Sequence, residues 1–205
     1  MPLVAFPIPA GGHVIVAGST AVEHAGVLVV ALADLAVDVV VPSRSSGRGF
    51  LAEAHWSATG RTVAVPDCDL RTCTTDVVDL VNRRGVTVDG LVPLAVTDAW
   101  LLGYRSTDDF AWEQVDIATG ARTSIESLAT VAPWSAYALP SGRILVSGRS
   151  EADVLAVLVL DPATGAVQPI YTAPDDLRYP HPLVIDEDWA VLGPRAPLAG
   201  VIAGL

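Results

Sequence analysis

The chain of 205 residues has no lysine; all twelve of its basic residues are arginine. That removes two enzyme classes, those that form a Schiff base through a lysine amine and those that cradle phosphate with a P-loop lysine. Positive charge is scarce altogether, because 23 acidic residues leave a net charge of −11. Such a surface cannot displace counterions from a nucleic-acid backbone, so no nucleic-acid partner is expected. No apolar run approaches the roughly 18 residues of a membrane span; the longest, AGVLVVALA at 25–33, stops at Asp34. The first twelve residues, MPLVAFPIPAGG, lack the basic flank and apolar centre of a secretory signal. Catalytic signatures are missing too: no GxSxG elbow, no dinucleotide-binding glycine fingerprint, no HxH or HExxH spacing. No cofactor is expected.

What the chain does contain is a repeat. A shift of 45 positions lays DIATGARTSI (116–125) on DPATGAVQPI (161–170), and carries Gly103 to Gly148 and then to Gly193. Periods of this size indicate a propeller or a solenoid. Five segments share one plan, an apolar strand, a short turn and a second apolar strand: 4–18, 53–67, 90–104, 135–149 and 180–194. The first four are followed by a third and a fourth strand, and four short antiparallel strands per unit make a propeller blade. The expected fold is therefore all-β, a propeller of about four and a half blades covering 1–205, with blades near 3–43, 51–89, 90–130, 135–174 and a partial one at 180–205. Helix is disfavoured by short valine-rich runs punctuated by 17 glycines and 15 prolines. In DIATGA and DPATGA the aspartate can bond its own backbone while glycine takes the positive φ of a tight turn, and Gly85 in VNRRGV is expected to play the same part.

One segment carries a family likeness. AHWSATGRTVAV, around His55–Val65, resembles the TolB-type propeller motif, in which a Trp-Ser pair leads through a glycine turn into an apolar strand; YALPSGRILVSG, from Tyr137, is a weaker copy. The resemblance to TolB-type and WD-repeat-like propellers implies a protein-interaction platform or a companion domain of a peptidase. The ring is expected to be incomplete, because the last unit is short and the first begins with its own first strand. Missing blades, another chain or a second copy would then cover the open edge.

Cys68 and Cys73 flank the turn between the second and third strands of the second unit. Non-hydrogen-bonded neighbours across a hairpin have Cα atoms about 4.5 Å apart, within the range a disulfide accepts. A disulfide is favoured over two free thiols and over a metal site, and such a short loop would contribute about 2 kcal/mol. If it forms, the compartment is oxidising and an extracytoplasmic location is favoured. His13, His24, His55 and His181 are too scattered to predict a metal site, and His55 is expected to pack at the start of an inner strand. Asp186, Glu187 and Asp188, like Asp108 and Asp109, read as solvated turns, with channel carboxylates of a carbohydrate-active enzyme as the alternative. Trp56, Trp100, Trp112 and Trp189 are expected to fill the space between blades. The expected recognition surface is the face made by the connectors between units and the loops between second and third strands. Its candidate residues are Trp134, Asp175, Asp176, Arg178, Tyr179 and His181, chosen because arginine, tyrosine and tryptophan dominate binding hot spots. The expected role is a non-catalytic protein-interaction, sensor or scaffold module.

Overall fold

In a computed structural model, residues 3–8, 11–20, 22–44, 50–51, 54–69, 73–105, 111–150, 155–172, 181–184, 189–193 and 201–203 are described. They form antiparallel strands and a single 3-10 turn, Glu126–Leu128. Sheet one contains β1 (Leu3–Pro7), β2 (His13–Ser19), β3 (His24–Ala31) and β4 (Val37–Val41) in that spatial order. In sheet two the first strand is split into β5 (Phe50–Leu51) and β6 (His55–Trp56), both paired to β7 (Thr62–Cys68), followed by β8 (Cys73–Asp79) and β9 (Arg84–Asp89). Sheet three is β10 (Val92–Val96), β11 (Trp100–Tyr104), β12 (Trp112–Asp116) and β13 (Arg122–Ser124). Sheet four is β14 (Val131–Ala138), β15 (Ile144–Ser150), β16 (Leu155–Asp161) and β17 (Ala166–Thr172). The fifth has three strands, β18 (His181–Val184), β19 (Trp189–Gly193) and β20 (Val201–Ala203).

Valine-rich strands pair here because a branched side chain fits a pleated surface buried on both sides. Every residue of β7 is buried, as are all but the last of β8. One face of sheet two shares a core with sheet one, Val63, Val65 and Val78 lying among Ile15, Ala17, Val27, Val29 and Val41. The opposite face, with Ala64, Val77 and Val88, joins Leu101 and Val115 of sheet three. Sheets three and four share a further core, in which buried Trp112 donates its indole Nε1–H to the carbonyl of Val131 at 2.6 Å. Gln114 reaches across the same seam to the carbonyl of Pro162 at 2.9 Å.

The turns between third and fourth strands repeat one device. Asp34, Asp79, Asp116 and Asp161 each accept backbone N–H groups two or three residues ahead through their side-chain oxygens. Burial pushes the Asp79 carboxyl up, but Arg61, Asn82 and the Val81 amide together hold it at about 2. The Thr119 amide holds Asp116 below the usual carboxylate range. The turn then needs one residue at positive φ, and this is Gly120 and Gly165 in sheets three and four, but Leu35 (φ 58°) and Arg83 (φ 51°) in sheets one and two. The assignment of that role to Gly85 is thereby corrected. Gly85 lies in β9, where a Cβ would come within 2.3 Å of Val41 Cγ2 and 3.1 Å of the Val40 carbonyl, so its smallness lets β4 approach β9.

The glycines 45 positions apart have a steric cause. Gly103 pairs with Pro93 and Gly148 with Pro133, each beside a register shift in the first strand of its sheet. A Cβ on either would sit 2.3 Å from the carbonyl oxygen of the residue before that proline.

Candidate functional site

The end of the molecule where β2 turns into β3, β7 into β8 and β11 into β12 carries its buried charges. Ser19 and His24 face each other across the β2–β3 turn, and His24 and Arg44 exchange both backbone hydrogen bonds at 2.9 Å. That bridge brings the connector after β4 down onto β8. Asp76, fully buried on β8, there receives the Arg44 guanidinium (Nη1 to Oδ1 2.8 Å and to Oδ2 3.2 Å) and the Thr87 hydroxyl at 2.8 Å. His24 is also fully buried. Its Nδ1 accepts the Gly26 N–H at 2.9 Å, which places the imidazole proton on Nε2, 3.3 Å from Asp76 Oδ2. Burial lowers the affinity of His24 for a second proton; Asp76 opposes this, Arg44 reinforces it, and Asp67 opposes it. The ring is thus held neutral near pH 7. Beside it, the Ser19 hydroxyl donates to buried Asp67 at 2.5 Å.

Sheet three repeats the theme one step along. Glu113 stands on β12 three residues before its turn aspartate, Asp116, as Asp76 stands on β8 three before Asp79. Its buried carboxylate pairs with Arg105 and lies 3.6 Å from Nη1 of Arg122, which also donates to the carbonyl of Asp89. Among the described residues no group of histidine, cysteine and acidic side chains is arranged to hold a metal ion.

Cys68 and Cys73 are directly paired in register on β7 and β8 and joined as a disulfide, their Cα atoms 4.1 Å apart. It ties together the hairpin that carries Asp67 and Asp76. Trp134, expected in a connector, belongs to β14 instead, because the strand begins at Val131 rather than at Ser135. His181 opens β18, and Asp175, Asp176, Arg178 and Tyr179 lie outside the described residues, as do Asp186, Glu187, Asp188, Asp108 and Asp109. Trp56 packs on the core between sheets one and two. On the opposite end, turns of sheets two, three and four line a cavity of about 390 Å³ that includes Thr59, Asp98, Trp100, Ser141 and Arg143. There Asp98 accepts the hydroxyls of Thr59 and Thr62.

The spacing rules of sequence reading missed the His24–Arg44–Asp76 cluster, since its members lie in three segments that meet only when the connector after β4 folds onto the second sheet. No protein-family model matches the chain, and no curated protein matches it in sequence. Solved structures do match. TolB from Acinetobacter baumannii superposes with a TM-score of 0.50 at 13% identity, over 93% of this chain and 48% of that one. The fold is a TolB-like propeller. A Mycobacterium tuberculosis puromycin-hydrolyzing peptidase matches with a TM-score of 0.55 at 18% identity, over 96% of this chain and 34% of that one. An oligogalacturonate lyase in complex with manganese gives 0.52 at 13%, over 83% and 53%. The chain thus spans between about a third and about half of the length of these three structures, and likeness at such identity speaks to fold alone.

Proposed function

We propose that the chain is a non-catalytic propeller module, one unit over 1–205, that binds another protein through the face carrying the second-to-third-strand turns and the connectors. The observation that carries this reading is the state of the buried carboxylates on that face. Asp76 accepts from Arg44 and Thr87 with His24 Nε2 3.3 Å away, Asp67 accepts from Ser19, and Glu113 pairs with Arg105, its buried Oε2 making no hydrogen bond and lying 3.6 Å from Arg122. An acid or base catalyst needs a carboxylate poised to exchange a proton with substrate; these instead clamp turns and connectors into a rigid platform. Arg178, Tyr179, Asp175 and Asp176 in the segment between β17 and β18, with His181 at the start of β18 and Trp134 on β14, are the residues assigned to recognition. The disulfide beside the platform fits an oxidising compartment, and with it an extracytoplasmic location.

The test places a photo-crosslinking amino acid at Tyr179 and, as control, at Val86 on an outer strand, in cells that make the protein. The reading expects a discrete protein adduct from position 179 only, weakened at least tenfold by Arg178→Ala. Turnover of a glycan or peptide panel by the purified protein, abolished by Asp76→Asn with the fold intact, would replace it with an enzyme.

A further inference from the structure

Sheets two, three and four bury consecutive residues along their central strands, so both faces are covered. Sheet one is different. Along β2 and β3 burial alternates, with Ile15, Ala17, Val27 and Val29 buried against sheet two and Val14, Val16, Leu28 and Val30 only half-buried on the other side. Pairing in register sets these last four beside the outer strand: Val14 opposite Val30, Val30 opposite Val37, Val16 opposite Leu28, Leu28 opposite Val39. Residues directly opposite in a sheet share a face. Val37 is 54% and Val39 65% exposed, and Ala5, opposite Val16 on β1, is exposed as well. Among the described residues the face is therefore two aliphatic rows across the sheet without one charged side chain, in a molecule of net charge −11. Asp38, between Val37 and Val39, turns the other way and pairs with Arg83 of sheet two at 2.8 Å. Exposed Leu32 and Leu35 extend the apolar character into the turn at one end of this same sheet, and exposed Val22 at the other.

Sheets buried on both faces are rich in such continuous aliphatic residues, and those open to water normally alternate with polar ones. A free aliphatic face of this extent is a contact surface. We propose that it is an interface between two copies of this chain, first sheet stacked on first sheet about a two-fold axis. Three features favour a second copy. The patch is self-complementary, being uniform and aliphatic, as an isologous contact requires. Charges are absent from the face, so the strong like charge of two copies stays at the periphery, where salt screens it. The size also suits: at about 3.3 Å per residue and about 4.8 Å per strand the sheet covers on the order of 450 Å² in projection. Two such faces bury about 900 Å² before side-chain relief and the flanking Leu32, Leu35 and Val22 are added, which brings the contact to the roughly 1,000 Å² a specific interface needs.

Sedimentation velocity on the whole chain from 1 to 100 µM tests this. A dimer with a dissociation constant in the micromolar range is expected, tightening several-fold between 0.05 and 0.5 M NaCl as the repulsion is screened. The double variant Val37→Thr/Val39→Thr keeps strand preference while adding hydroxyls, and Val39→Glu adds charge at an exposed site. Both are expected to keep the wild-type circular dichroism and to weaken the dimer more than tenfold. A wild type that stays monomeric to 100 µM means that another chain, or a further sheet, covers the face, and overturns the proposal. A dimer indifferent to both variants forms elsewhere and overturns it too. Neither result touches the recognition face, which is read by the crosslinking at position 179.

Discussion

His24 shows how one side chain couples burial to acidity. Its ring is buried with a backbone donor on Nδ1 and a carboxylate facing Nε2, so the folded state resists the second proton while the unfolded chain takes it up near pH 6.5. A group whose folded pKa is lowered contributes its full stability above the unfolded value, and loses it as pH falls from about 6.5 toward the folded value. The urea midpoint is therefore expected to drop between pH 7 and pH 5, and His24→Gln, which retains an amide donor for Asp76, is expected to flatten that part of the profile. An unchanged profile in the variant would assign the pH dependence to other groups. None of this was legible in the sequence, where His24 stands as one of four scattered histidines and Asp76 and Arg44 lie 32 positions apart. The Cys68–Cys73 pair was legible because both partners sit on one hairpin and local geometry fixes their distance.

Glycine spacing displayed the repeat, but two different backbone requirements hide behind the same letter. Gly120 has φ 72° and open space where a Cβ would go, so Gly120→Ala costs only left-handed backbone strain, about 1 kcal/mol. Gly103 meets a carbonyl oxygen at 2.3 Å, and alanine there must displace the backbone of β10 next to its register shift, which costs on the order of 3 kcal/mol. Chemical denaturation of the two variants is expected to separate them by at least about 1.5 kcal/mol; equal losses would mean that sterics at the bulge do not explain the repeat. The same distinction explains Gly85. From sequence it looks like a turn glycine, because the turn residue ahead of it, Arg83, is not one, and only the packing of β4 on β9 exposes its actual constraint. Trp134 falls on β14 because that strand begins at Val131, four residues ahead of the Ser135 at which the repeated pattern starts, and accommodates Pro133 at its register shift.

At the scale of the whole molecule, sheet two is pressed between sheets one and three, and sheet three between sheets two and four, as blades are in a propeller. The alternation of valines on β8 makes this testable at neighbouring residues: Val78 belongs to the core shared with sheet one, and Val77 to the core shared with sheet three. Consecutive side chains on a strand point to opposite faces, so the two methyl pairs are within reach of different sheets. The decisive measurement is a methyl nuclear Overhauser spectrum of selectively labelled protein. Cross-peaks are expected from Val78 to Ile15 or Val27 and from Val77 to Leu101 or Val115, with neither set shared. Both valines contacting the same sheet, or Val77 contacting none, would contradict a stack of radially arranged sheets.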